Sequence, residues 1–188
     1  MQILVITGPP YSGKGTQCEI LENTLGYKHI STGDRIRSEK ETKTVIGEKM
    51  KSYEEKGMLV PDEIMEELLT KIIIENEQEN GIIFDGYPRT QPQVDTLIKL
   101  LKENRKIINQ VINIEVPKEE LLNRAKERAK NSTRIDDQNE SIHIRRIEVF
   151  EENTKPAIDY LKSIMSVDDI EGIGTIEQIT ERIKDKIR

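Results

Sequence analysis

The stretch Gly8-Pro9-Pro10-Tyr11-Ser12-Gly13-Lys14-Gly15-Thr16 follows directly on the apolar run Ile3-Leu4-Val5-Ile6. A strand that feeds a glycine-rich turn is the setting a phosphate-binding loop requires. Beyond the turn, Cys18, Leu21 and Leu25 share one helical face, and Gly26 supplies a C-terminal stop. The turn therefore opens a helix. Its backbone N–H groups and the positive end of the helix dipole would wrap an anionic phosphate chain. Lys14 would reach the β and γ phosphates, and the Thr16 hydroxyl would lie near Mg²⁺.

Outward from this loop, apolar patches alternate with helical periodicities, as a parallel sheet with crossover helices requires. Strands are expected at Ile3 to Ile6, Tyr27 to Ile30, Ile82 to Phe84, Gln110 to Ile114 and roughly Ile164 to Ile170. Between them run the helical stripes Ile64, Met65, Leu68, Leu69, Ile72, Ile73 and Val94, Leu97, Ile98, Leu101, with Ile176, Ile179, Ile183, Ile187 at the end. The expected fold is α/β, a doubly wound parallel five-stranded sheet whose ligands sit at the carboxyl ends of the strands. All 188 residues form one domain. Two segments fit the sheet poorly. Residues 31–73 carry helices without a strand, which suggests a helical insertion on one rim. Residues 129–140 are polar and lack apolar periodicity, which suggests a short flap that closes over a substrate.

With 29 basic and 35 acidic residues the net charge is −6, which argues against a nucleic-acid or anionic-membrane surface. Lysines are spread along the chain, whereas Arg124, Arg128, Arg134, Arg145 and Arg146 crowd one segment. Arginine is the better side chain for gripping phosphate. The single cysteine, Cys18, excludes an internal disulfide and a thiolate zinc cage, and is expected in the core. A reducing compartment and a cytoplasmic location are expected, since the chain shows neither a signal peptide nor an apolar run of membrane-spanning length. His29 and His143 are expected to be bystanders, having no metal-ligand spacing.

Two further constellations follow strands. Ser31-Thr32-Gly33-Asp34-Arg35-Ile36-Arg37 allows a tight turn with an arginine one helical turn onward, fit for a second phosphate. Asp85-Gly86-Tyr87-Pro88-Arg89 puts a carboxylate at a strand end near the loop, where it can hold Mg²⁺ through water. These motifs, with Gly-Lys-Gly-Thr-Gln at 13–17, Gly57-Met58-Leu59-Val60-Pro61, Gln93 and Arg134-Ile135-Asp136-Asp137, resemble those of the adenylate kinases in the same order. The resemblance spans nearly the whole chain.

That resemblance implies transfer of a phosphoryl group from Mg·ATP to AMP, giving two ADP. Residues 31–73 then become the monophosphate-binding insertion and 129–140 a short lid, with no room for the longer zinc-bearing form. Gly8 through Thr16, Arg124, Arg128 and Gly172-Ile173-Gly174 would bind ATP, Arg124 packing on its adenine. Thr32, Gly33, Leu59, Val60, Gly86 and Gln93 would receive AMP, with Arg37 and Arg89 on its phosphate. Lys14, Arg89, Arg128 and Arg134 would surround the transferring group, and Thr16 and Asp85 would hold Mg²⁺, the one cofactor. Arg145 or Arg146 completes the clamp: the count from Asp137 selects Arg145, and the count back from Asn153-Thr154-Lys155-Pro156 selects Arg146, which continues the family pattern better. A monomer with ATP and AMP as partners is expected. A UMP/CMP kinase is the alternative within the family, and a catalytically impaired nucleotide-binding regulatory protein the alternative outside it. Thr32 and Gln93 favour AMP, and the clustered arginines favour turnover. Tyr11 departs from the family, which has glycine there. Either its peptide keeps an ordinary conformation or affinity suffers, and its ring is expected to face outward.

Overall fold

Strands form where β-branched residues run unbroken, and helices where the apolar period lengthens to a turn. In the computed structural model, which describes residues 1–42, 44–54, 56, 58–131 and 139–187, the order begins β1 (Gln2–Thr7), α1 (Lys14–Leu25), β2 (Lys28–Ser31). Three helices follow without a strand: α2 (Thr32–Glu41), α3 (Val45–Glu54) and α4 (Asp62–Glu75). Then come β3 (Gly81–Asp85), α5 (Gln91–Glu103), β4 (Gln110–Glu115), α6 (Lys118–Asn131) and α7 (Glu140–Val149). A π-helical turn, Phe150–Thr154, leads into α8 (Lys155–Ile164), β5 (Val167–Glu171) and α9 (Ile176–Lys184).

All strand pairs are parallel, in the order β2-β3-β1-β4-β5. The chain leaves β1 toward one edge and later returns to the other, so β1 lies at the switch point where such sheets bind ligands. The inner strands β1, β3 and β4 are covered by helices on both faces, which are apolar there. Ile3, Val5, Ile82, Phe84 and Val111 pack with Leu68, Leu97 and Leu161 on one side. Leu4, Ile6, Ile83 and Ile112 pack with Cys18, Leu21, Ile179 and Ile183 on the other. Cys18 is thus core, as expected.

The last strand begins later than its apolar run suggests. Ile164 closes α8, and the Met165 N–H still donates to the Leu161 carbonyl at 2.9 Å, so the helix claims these residues before β5 starts at Val167. The π-helical turn has a local cause. Pro156 lacks an N–H and its ring excludes the carbonyl four residues back, so the preceding turn widens.

Candidate active site

The phosphate loop spans the end of β1 and the start of α1. At Gly8, with φ 139°, a Cβ would stand 2.5 Å from the Ile114 carbonyl oxygen, so no side chain fits against β4 here. Gly13, with φ 89°, caps α1 without a side-chain bond, and the first turn carries no acidic residue. The orphan N–H groups and the positive end of α1 remain available to an anion. The Lys14 ammonium folds back over the loop, donating to the carbonyls of Gly8 at 2.8 Å and Pro9 at 2.7 Å. Burial lowers its pKa from 10.5 to about 8. Asp85 pulls it back up, and the Arg89 and Arg146 guanidinia push it down. Three cationic side chains and one carboxylate therefore converge at this end of the sheet.

Asp85 closes β3 opposite Ile6 of β1 and is 9% exposed. Its carboxylate faces the start of α1, where a Cβ on Gly15 would meet Oδ2 at 3.7 Å. His29, expected as a bystander, lies beside this carboxylate: its Nε2 is 3.3 Å from Asp85 Oδ2, because parallel pairing sets β2 beside β3. Cys18, His29 and Asp85 bring one ligand atom each within 4.8 Å of one another. The Cys18 thiol is pushed well above its usual pKa, by burial first and then by Asp85. A thiol so held stays protonated, and the oxygen of Asp85 remains the hard donor of the group.

A cleft opens between this point and α2, α4 and α5, lined by Lys14, Thr32, Gly33, Arg37, Leu59, Val60, Gly86, Arg89, Gln93 and Arg146. Arg37 lies over Gly33 and pairs with Asp34. Arg89 donates from Nε to the Gly86 carbonyl at 2.5 Å, where Gly86 has φ 73°. Thr32 is buried, its hydroxyl within 3.1 Å of the Asp85 carbonyl and 3.0 Å of that of Gly86. Gln93 is 2% exposed and held from both ends: Oε1 accepts from the Arg89 N–H at 2.8 Å, and Nε2 donates to Asp62 Oδ1 at 2.7 Å. An amide has four hydrogen-bonding positions, so one donor and one acceptor position are left. Asp62 is a residue that sequence reasoning missed. It opens α4 and also accepts from Thr90, the N-cap of α5, at 3.1 Å. Its only sequence signal was a carboxylate after Pro61 at a helix start.

The arginine segment divides among α6 and α7. Arg124 donates from Nη2 to the Gly172 carbonyl at 2.9 Å and is held by Glu120 at 2.7 Å, so it bridges α6 to the loop after β5. Arg182, unremarked in the sequence, shapes that loop by donating to the Ile173 carbonyl at 2.6 Å. Arg146 lines the cleft. Arg145 does not: its guanidinium pairs with Glu148 at 3.2 Å and Glu152 at 3.6 Å, and 42% of its side chain is exposed. One residue along a helix turns the side chain by about 100°, so the two arginines cannot share a face. Arg134, with the segment 132–138 and Gly57, lies outside the described residues.

Tyr11 decides an open alternative and corrects the expectation that its ring faces outward. Its φ is 67°, the left-handed region that side chains other than glycine rarely adopt, and its ring is turned inward and 9% exposed. His143, expected as a bystander, is 3% exposed with its Nδ1 at 2.6 Å from the Tyr11 hydroxyl. Packing against α6 and α7 overrides the local preference against positive φ.

The sequence model of the adenylate kinase family matches residues 6–166. The adenylate kinase of Parabacteroides distasonis is 42% identical over 184 residues, covering 98% of this chain and 96% of its own. That of Bacteroides fragilis is 41% identical over 180 residues, 96% and 95% of the two chains. That of Thermus thermophilus is 38% identical over 183 residues, 97% and 95%. No described helix is long and apolar enough to cross a membrane. With likeness of this extent running through the loop, the cleft and the arginine-bearing helices, the chain belongs to the adenylate kinase family, the ATP:AMP phosphotransferases.

Proposed function

We propose that the loop at 8–16 holds Mg·ATP, that the cleft between α2, α4 and α5 holds AMP, and that the phosphoryl group passes directly between them. The observation that carries this reading is the convergence of Lys14, Arg89 and Arg146 beside Asp85 at the switch point of the sheet. Arg37 and Arg89 grip the AMP phosphate, while Arg124 and the backbone at Gly172 to Gly174 border the ATP adenine. Lys14, Arg128, Arg134 and Arg146 surround the transferring group, and Arg145 is left out of the clamp. The attacking phosphate is already ionised near neutral pH, so the protein positions and neutralises charge and no general base is required. Residues 129–140 close as the lid and exclude water, and 31–73 act as the monophosphate-binding unit. The enzyme acts as a cytoplasmic monomer.

The Asp85 carboxylate and the Thr16 hydroxyl are hard oxygen donors at adjoining strand and helix ends, a set that fits Mg²⁺ held largely through water. When bound, that ion offsets charge on the phosphates. Lys14 and the arginines orient the chain and hold it in line.

Adenine is read by Thr32, the Val60 backbone and Gln93. The locked amide of Gln93 offers one donor and one acceptor to a base edge, and a base with the wrong edge leaves them unpaired. ADP formation assayed with ATP and each of AMP, UMP, CMP and GMP is expected to give AMP more than about a tenfold advantage in kcat/KM. Gln93→Leu should narrow that gap. Preference for UMP or CMP would overturn the assignment of the base contacts.

The Lys14 pKa of about 8 fixes a pH dependence for ATP binding. Phosphate binds the ammonium form, so above about pH 8 the free enzyme must first take up a proton, and KM for ATP rises by up to about tenfold per pH unit. Below that point Lys14 leaves KM level. For folding the sign is opposite. The unfolded lysine keeps its proton to about pH 10.5, so between about pH 8 and 10.5 this group's contribution to stability grows as pH rises. Lys14→Arg, charged throughout, should abolish the rise in KM. A level KM up to about pH 9.5 in the unaltered enzyme would contradict the lowered pKa.

A further inference from the structure

The Tyr11 side chain joins elements far apart in the chain. Its ring packs with Leu121 and Ala125 of α6 and Ile147 of α7. Its hydroxyl lies 2.6 Å from His143 Nδ1, and the two rings meet edge to face with centroids 5.2 Å apart. Arg146 donates from Nη1 to the same hydroxyl at 3.3 Å, with its guanidinium carbon 5.2 Å from the ring centroid. The Arg128 guanidinium carbon lies 6.0 Å from that centroid. Arginine can only donate, so the phenol oxygen accepts from Arg146, while the direction of the bond to His143 Nδ1 follows the imidazole tautomer. The phenol thus links guanidinium and imidazole.

We propose that Tyr11 and His143 form a latch tying the phosphate loop to α7, and that this latch sets the position of the Arg146 guanidinium over the transferring phosphoryl group. Both are positioning residues, and the proposal rests on Arg146 acting as the clamp. A neutral ring suits the task. It meets a guanidinium through its π face and adds no charge of its own. The positive φ of Tyr11 is the backbone geometry that sends the ring inward beneath the loop. A loop and a helix held to each other through one hydroxyl move together, which keeps the guanidinium in register with the phosphates that the loop carries.

The test measures kcat and KM for both nucleotides, with melting temperature alongside, in Tyr11→Phe, His143→Leu, their double variant, His143→Asn and Arg146→Ala. Tyr11→Phe keeps the ring and removes only the hydroxyl. It and His143→Leu are each expected to lower kcat about tenfold with KM changed less than about threefold. The double variant should match either single one within about threefold, since each breaks the same link. His143→Asn, whose amide can still bond the phenol, should recover most of the rate. If Tyr11→Phe and His143→Leu keep kcat within about twofold while Arg146→Ala is impaired, the latch is wrong and the clamp stands. If the two losses multiply, the residues act independently and the latch is likewise wrong. If Arg146→Ala itself turns over normally, the clamp falls and the latch with it. Should His143→Leu fail to fold, Tyr11→Phe and His143→Asn decide the matter alone.

Discussion

Replacing Lys14 with methionine lowers kcat for ADP formation by about 10²-fold or more, while the protein keeps its fold. The ammonium is folded back on the loop with its pKa lowered to about 8 by burial, a cost accepted in the free protein and offset once phosphate oxygens surround it. Methionine has nearly the same length and shape and carries no charge, so packing survives and only the electrostatic contribution is lost. The variant loses the Lys14 bonds to the Gly8 and Pro9 carbonyls and, offsetting them, the cost of holding a buried charge. The melting temperature is therefore expected to change little. A coupled assay of ADP formation with thermal melting checks both halves. Near-normal turnover in the folded variant would remove this loop from the catalytic machinery.

Arg146→Ala lowers kcat at least about a hundredfold with ATP binding less affected, whereas Arg145→Ala is mild. The reason is the phase of α7. Arg146 lines the cleft with Val149, Phe150 and Thr154, a spacing that follows one helix side through the π-helical turn. Arg145 faces solvent and pairs with Glu148 and Glu152, an exposed arrangement worth less than about 1 kcal/mol. A clamp that tightens as charge develops acts on kcat more than on ground-state binding. Reversed effects would move the functional register by one residue. If both variants are mild, the transferring group is gripped from α6 and the lid instead.

The count back from Asn153-Thr154-Lys155-Pro156 and the count forward from Asp137 disagreed because one residue is inserted somewhere between the two motifs. What settles the side on which Arg146 stands is the burial of Ile147 and Val149 against neighbours that no local count contains. The same holds for Gln93. Its place in the motif was readable, but the Asp62 carboxylate that locks its amide comes from 31 residues away, across the start of another helix. His29 reaches Asp85 for a similar reason, over 56 residues, once β2 pairs with β3.

Contiguous signals were legible from the chain alone. The phosphate loop, the strand before it, the helix after it and the glycine that ends that helix occupy one unbroken stretch, and their chemistry is local: φ freedom, apolar period and an orphaned helix end. The three inner strands β1, β3 and β4 read as apolar runs because they are buried on both faces, and the start of β5 was displaced by a helix that persisted through Ile164. Tyr11 marks the opposite limit. By its own φ preference it should have kept an ordinary conformation and faced water, yet it lies inward on His143, 132 residues away. Local preferences amount to about 1–3 kcal/mol at such a position, and burying an aromatic ring in a packed cluster with a satisfied hydroxyl outweighs them. The sequence determined which chemistry the chain can carry. The order of the strands and the packing of α6 and α7 decided which side chains meet to perform it, because those contacts join residues that no local pattern relates.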